Sequence, residues 1–114
     1  MTSQDQLRID VRHENDRVVL YLSGELDLAS APLLQQEIDS PVLAGAAMVV
    51  LDLQQLEFVD STGLRVLLVA HERSRERGQE FAMTPGSQQV QRLLSITGVG
   101  EHLRTVAPSD EMRV

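Results

Sequence analysis

The sequence predicts a single α/β domain built on a mixed sheet of four to five strands, in the order β-β-α-β-α-β-α-β. Short apolar runs of strand length alternate with segments of helical periodicity, which indicates crossovers between parallel strands. The first two strand patterns follow each other directly, as in a hairpin. At 114 residues the chain has the length of one domain, so we expect residues 1–114 to form it, with a core at about 7–106 and frayed ends.

The first two elements are predicted to be paired strands. Residues 7–12 alternate apolar and polar side chains, which is the period of a half-buried strand. Residues 13–16 form a polar turn, and residues 17–23 are more apolar and predict a buried strand. The motif Gly24-Glu25-Leu26-Asp27 is expected to end this second strand.

A helix and a central strand come next. Ser30 is expected to cap the helix, because Pro32 stands near its first positions, where proline is tolerated. The pair Ser40-Pro41 is expected to break or restart this helix. Residues 48–53 are almost continuously apolar, as in a central strand that is covered on both faces or has parallel neighbours.

The second half of the chain contains the strongest helical pattern. Residues 60–77 combine an apolar stripe with a charged face, and Gly78 is a good terminator. Residues 80–84 predict a short strand, and the apolar stripe of residues 90–97 predicts a third helix. Residues 103–106 are expected to form a last edge strand.

Composition narrows the classes of function. A formal net charge of −7 argues against nucleic-acid and membrane binding, because both require a basic surface. The chain has no cysteine, which excludes disulfides and thiolate metal sites, and we expect neither a metal nor a cofactor. The polar, acidic N-terminus has no signal-peptide pattern and no run reaches membrane-span length, so we expect a cytoplasmic protein.

The segment Asp60-Ser61-Thr62-Gly63 has more special residues than a helix start needs. Asp60 is a good N-cap, which would place the next three residues in the first turn. Gly63 costs about 0.5–1 kcal/mol relative to alanine, so it serves either a close approach of a ligand or partner backbone or tight packing of the helix. A phosphate on Ser61 would meet the free N–H groups of the helix start but would also crowd Asp60.

Two motifs resemble those of one protein family. Residues 59–64 resemble the phosphorylation-site motif of anti-sigma factor antagonists, which are bacterial proteins built from a STAS domain. Residues 24–27 are similar to a second motif of that family, and residues 48–53 and 93–98 match its layout. The resemblance covers roughly residues 7–106 and implies a small mixed sheet with helices packed mainly on one face.

The resemblance also implies a mechanism of partner switching. The unphosphorylated protein would bind an anti-sigma factor that is also a serine kinase, and this binding would free a sigma factor. The kinase would then phosphorylate Ser61 and release the antagonist, and a serine phosphatase would reset it. Thr62 is the neighbour of the acceptor and the second choice. The residues implied at the partner-binding surface are Glu25, Asp27, Asp60, Thr62, Gly63, Leu64 and Arg65.

The chain departs from the family pattern at two places. Arg65 stands where the best-known members often have glycine, and this larger basic side chain would tune partner choice. Ser40-Pro41 interrupts a helix that is continuous in many members.

Three other functions are weighed against partner switching. An enzyme with Ser61 as nucleophile is disfavoured, because His71 would lie about 15 Å away along the same helix. Nothing in the sequence excludes an interaction module of the same fold that is not phosphorylated and is part of a signalling assembly. A lipid or small-ligand binder would require an apolar-pocket pattern, and the sequence has none beyond ordinary core patterning.

Overall fold

The computed structural model describes residues 6–97, in which four strands and four helices follow in the order β-β-α-α-β-α-β-α. The elements are β1 (Arg8–Glu14), β2 (Arg17–Leu26), α1 (Ala31–Ile38), α2 (Pro41–Ala44), β3 (Met48–Val59), α3 (Ser61–Arg77), β4 (Glu80–Met83) and α4 (Gln88–Thr97). The strand predicted at residues 103–106 lies outside the described residues.

The four strands form one mixed sheet in the order β1-β2-β3-β4. β1 and β2 are an antiparallel hairpin whose turn holds Asn15 at a φ of 61°, a left-handed conformation that asparagine tolerates. β2 pairs in parallel with β3, and β3 pairs in parallel with β4. The mixed sheet predicted from the sequence is therefore confirmed.

One face of the sheet forms the hydrophobic core together with the helices. Alternate residues of β2 and β3 point into this core, among them Leu20, Leu22 and Leu51, and side chains such as Leu34 of α1 and Leu67 of α3 pack against them. The opposite face pairs Asp10 with Tyr21 near its β1 edge, while its central residues Val19, Val50 and Ala82 are fully buried. The buried apolar side chains of the described helices belong to the core on the first face, as the family resemblance implied.

β2 and β3 are longer than the sequence predicted. β3 continues beyond residue 53 to Val59, and β2 continues to Leu26, because their parallel pairing resumes after register shifts that begin at Tyr21. Gly24 pairs with Leu56, and Leu26 pairs with Val59. The two sequence motifs are consequently brought to the same end of the sheet.

The predicted helix boundaries agree well with the structure. α1 ends at Ile38, and α2 restarts after Ser40, whose hydroxyl accepts a hydrogen bond from the Leu43 N–H at 3.4 Å. α3 ends at Gly78, which adopts a left-handed φ of 72°. The break in the first predicted helix and the glycine terminator of the helix predicted at residues 60–77 are both confirmed.

Candidate functional site

The candidate site lies where β2 and β3 end side by side. The Asp60 N–H donates a hydrogen bond to the Leu26 carbonyl at 3.1 Å, which extends the pairing of the two strands by one step. The chain then turns into α3 on one side and into the loop before α1 on the other. The first turn of α3 and the loop that follows Leu26 thus lie next to each other.

The carboxylate of Asp60 connects these two segments. Its Oδ1 accepts a hydrogen bond from the Gly63 N–H at 2.8 Å, which is the predicted N-cap of α3. Its Oδ2 accepts the Leu28 N–H at 3.0 Å, from the loop that follows β2. One side chain therefore caps the helix and fixes the neighbouring loop.

A second aspartate closes the loop between β2 and α1. Oδ1 of Asp27 accepts the Ser30 N–H at 3.0 Å, and the buried Ser30 hydroxyl accepts the Asp27 N–H at 2.9 Å. The same hydroxyl lies 2.9 Å from the Glu25 carbonyl oxygen and 3.0 Å from Oδ1 of Asp27, so its proton has an acceptor. Ser30 occupies the N-cap position of α1, but its side chain makes no capping bond there and folds back onto this turn.

The predicted phosphorylation residue is accessible. Ser61 is the first residue of α3 and is exposed, Thr62 is partly exposed, and Arg65 is exposed one turn further along the helix. Because the N–H groups and the dipole of a helix start favour anions, the position is chemically suited to a phosphate on Ser61. Phosphate oxygens there would also lie near the carboxylate of Asp60, and that proximity would introduce like-charge repulsion.

Gly63 and Leu64 differ from the expectation that they lie at the surface. Gly63 is buried, and a Cβ added to it would lie 2.5 Å from the Leu26 carbonyl oxygen and 2.7 Å from Leu26 Cγ. Leu64 is only 7% exposed and belongs to the core. The structure gives both residues a packing role, because α3 crosses the end of β2 too closely for any side chain at position 63.

Three large apolar side chains are exposed on the elements next to the site, and none of them belongs to the site predicted from the sequence. Leu28 is 72% exposed, at the tip of the loop that Asp60 and Asp27 hold. Leu33 on α1 and Phe58 near the end of β3 are 49% and 38% exposed. Leu28 could have been noticed because it follows the Gly24–Asp27 motif without belonging to a helical or strand period. Large exposed hydrophobic residues near one site are typical of protein interaction surfaces.

Ser61 and His71 are too far apart in the structure to act as a nucleophile and its base. α3 is a continuous helix, so Ser61 and His71 are separated by ten residues, about 15 Å along its axis. The His71 ring instead packs edge-on against Phe81, with ring centroids 5.6 Å apart. Within residues 6–97, no group of three or more histidine, aspartate or glutamate side chains is arranged to hold a metal ion.

None of the helices in the described part of the chain is both long enough and apolar enough to span a membrane.

A mixed sheet with helices on one face, and a hydroxyl-bearing helix start where two parallel strands end, define a small α/β domain of the STAS type. The chain belongs to the STAS domain family, whose profile matches residues 8–111. Its relatives in that family include anti-sigma factor antagonists.

Three similar proteins illustrate the relationship. The anti-sigma F factor antagonist of Paenibacillus polymyxa is 31% identical over 94 residues, which are 82% of this chain and 80% of that protein. The anti-sigma-B factor antagonist of Bacillus subtilis is 26% identical over 104 residues, covering 91% and 94% of the two chains. The crystal structure of an anti-sigma factor antagonist from Mycobacterium paratuberculosis matches with a TM-score of 0.81 and 26% identity, covering 92% of this chain and 89% of that one.

Proposed function

We propose that this protein is an anti-sigma factor antagonist that works by partner switching. In the unphosphorylated state it binds an anti-sigma factor that is also a serine kinase, and this binding releases a sigma factor. Phosphorylation of Ser61 by that kinase ends the interaction, and a serine phosphatase restores it. The protein carries out this cycle in the cytoplasm, without a metal or cofactor of its own.

The observation that supports this proposal most strongly is the position of Ser61. It is an exposed hydroxyl at the start of a capped helix, next to a loop with an exposed leucine. A phosphate there adds about −1.5 to −2 charges beside the carboxylate of Asp60, on a surface that also carries Glu25, Asp27 and Arg65. The same surface is therefore suited to bind a partner while the Ser61 hydroxyl is neutral and to lose it afterwards, because the phosphate crowds Asp60 and must give up its hydration to enter the contact.

The partner-binding surface that we propose contains the accessible residues of both motifs. Thr62 and Arg65 flank Ser61 on α3, while Glu25 and Asp27 come from the end of β2 and the loop after it. Asp60 joins the two sides through its hydrogen bonds. Gly63 supports this surface from beneath through its close packing on Leu26 of β2, and Leu64 does so as part of the core.

The proposed role is one of binding, and the phosphoryl transfer is carried out by the partner. The Ser61 hydroxyl is the acceptor in that reaction, so the chain acts as substrate of the kinase. The approximately 15 Å between Ser61 and His71 along α3 leaves the serine without a histidine base in its own helix. The kinase must therefore supply the base, the Mg²⁺ and the nucleotide.

Intact-mass spectrometry tests the assignment of Ser61. After incubation with the cognate anti-sigma factor kinase and Mg-ATP, we expect the wild-type chain to gain the mass of one phosphate. Ser61→Ala should gain none, whereas Thr62→Ala, a matched control at the adjacent hydroxyl, should gain one. A phosphate that persists in Ser61→Ala would contradict the site assignment.

The alternative is an interaction module of the same fold that is not phosphorylated. The sheet, the held loop and the exposed leucine would serve that function equally well. A wild-type chain that binds the kinase but gains no phosphate in the same mass measurement would favour this alternative.

A further inference from the structure

Leu28 is the most exposed large hydrophobic side chain among residues 6–97, and its backbone N–H is hydrogen-bonded to Asp60. It is 72% exposed, so it contributes little to the hydrophobic core. Exposed loop tips usually have small or polar residues and few hydrogen bonds. At Leu28 the opposite combination occurs, because an apolar side chain projects from a loop that two aspartates fix.

The loop is restrained around Leu28 and at Leu28 itself. Across the leucine, the backbone N–H of Asp27 donates to the Ser30 hydroxyl at 2.9 Å, and the backbone N–H of Ser30 donates to Oδ1 of Asp27 at 3.0 Å. The backbone N–H of Leu28 itself donates a hydrogen bond to Oδ2 of Asp60 at 3.0 Å. The backbone is therefore ordered before any partner arrives, which reduces the entropy that binding must overcome.

Asp60 places this loop beside the phosphorylation residue. The carboxylate that accepts the Leu28 N–H belongs to the residue directly before Ser61 and also caps the same helix turn. The exposed leucine is thus continuous with the surface that Ser61 is proposed to control. A partner that contacts Ser61 is therefore also within reach of the loop that presents Leu28.

We infer that Leu28 is the apolar anchor through which the anti-sigma factor binds, and that Asp60 is the positioning residue that holds it in place. The partner's complementary surface is an apolar pocket with basic groups at its rim, because Asp27 and Asp60 flank the leucine in a chain of net charge −7. This inference rests on the proposed function, since the occupant of the surface is the anti-sigma factor.

Three variants separate anchoring from general surface effects. Leu28→Ala removes the anchor without touching the core, so we expect the dissociation constant for the purified cognate anti-sigma factor to rise at least about ten-fold. Val42→Ala is the matched control, because Val42 is 47% exposed on α2, beside the opposite end of the sheet. Its dissociation constant should stay within about two-fold of the wild-type value.

Asp60→Asn isolates the positioning role. Asparagine keeps an oxygen for the Gly63 N–H and caps helices as well as aspartate does, but its NH₂ group cannot accept the Leu28 N–H. We expect faster hydrogen exchange at the Leu28 amide, with the Gly63 amide still protected. Unchanged exchange at Leu28 would overturn the positioning role.

A double-mutant cycle then connects the two residues. Asp60→Asn should weaken binding in the wild-type background but have little further effect in Leu28→Ala, because that variant has no leucine side chain for Asp60 to position. Equal losses in both backgrounds would mean that Asp60 contacts the partner itself, and would overturn the positioning role.

The outcomes distinguish this inference from the function on which it rests. If the wild-type chain binds the anti-sigma factor and is released on phosphorylation, but Leu28→Ala binds equally well, only the anchor is wrong. If the wild-type chain does not bind at all, both fail. If sedimentation shows that Leu28→Ala dissociates a dimer of this chain while partner affinity is unchanged, the leucine contacts a second copy and the inference is wrong.

Discussion

At the scale of single residues, Asp60 combines a role that the sequence predicts with one that it does not. Its capping of α3 could be predicted because N-cap chemistry involves neighbours in the chain. Its hydrogen bond to Leu28 joins residues 32 positions apart and depends on how β2 and β3 end together. Long-range contacts of this kind cannot be derived from a local sequence pattern. Leu28 was therefore not among the site residues predicted from the sequence.

Gly63 illustrates the same division. Its cost to the helix indicated a special requirement, and the sequence left open whether a partner or the domain itself imposed it. The structure assigns it to packing, since the Leu26 carbonyl occupies the space of a Cβ.

We predict that Gly63→Ala destabilises the domain by about 2 kcal/mol, in the range of overpacked cores, because the Leu26 backbone cannot move aside as a flexible side chain could. Urea denaturation followed by circular dichroism measures the free energy of unfolding.

The control for that measurement is Gly45→Ala. A Cβ at Gly45 would lie 3.6 Å from the Pro41 carbonyl oxygen, an ordinary contact, so we expect a change within about 0.5 kcal/mol. Equal free energies of unfolding for the two variants would contradict the packing role of Gly63.

At the scale of elements, starts and ends governed by local chemistry were predictable. The break at Ser40-Pro41 and the terminator Gly78 follow from proline geometry and from the left-handed conformation that glycine adopts easily. The length of β3 was not predictable, because Gln54 and Gln55 interrupt its apolar pattern. Pairing with β2 decides the length of β3, and the local sequence does not specify which strand β3 pairs with.

The end of β4 is fixed to β3 by a buried threonine. Thr84 has no exposed surface, and its hydroxyl accepts the Leu53 N–H at 2.9 Å and lies 3.2 Å from Oδ1 of Asp52. We predict that Thr84→Val destabilises the domain by about 2 kcal/mol, because it leaves a buried N–H and a largely buried carboxylate with fewer partners. Thermal unfolding of the variant and the wild type measures the loss.

Thr84→Ser is the matched control, since serine keeps the hydroxyl and removes only a methyl group. It should retain more stability than Thr84→Val, although valine fills the site better. A more stable valine variant would show that packing, and not the hydrogen bonds, holds this end of the sheet.

At the scale of the whole molecule, the sequence predicted the mixed sheet but not the register shifts that align its two motifs. Strand order β1-β2-β3-β4 brings the ends of β2 and β3 together, and both the loop with Leu28 and the helix with Ser61 start there. Sheet topology therefore assembles the candidate site from segments that are separate in sequence. Net charge predicted the absence of a basic nucleic-acid surface, but it could not locate the apolar side chains.

A charge introduced at Ser61 should act through its location and not through the net charge of the chain. Ser61→Asp places a carboxylate beside Asp60. Ser40→Asp adds the same charge at the N-cap of α2, a position where aspartate caps a helix about as well as serine does. We expect the first variant to bind the anti-sigma factor more weakly and the second to bind like the wild type.

The central claim is that phosphorylation of Ser61 controls binding, and calorimetric titration of the phosphorylated chain tests it most directly. The chain is phosphorylated by its kinase, purified, and titrated with the anti-sigma factor beside the unphosphorylated chain and Ser40→Asp. We expect the dissociation constant to rise at least about ten-fold on phosphorylation, equivalent to about 1.4 kcal/mol, because the phosphate crowds Asp60 at the contact surface. Equal dissociation constants for the phosphorylated and unphosphorylated chains would contradict the account.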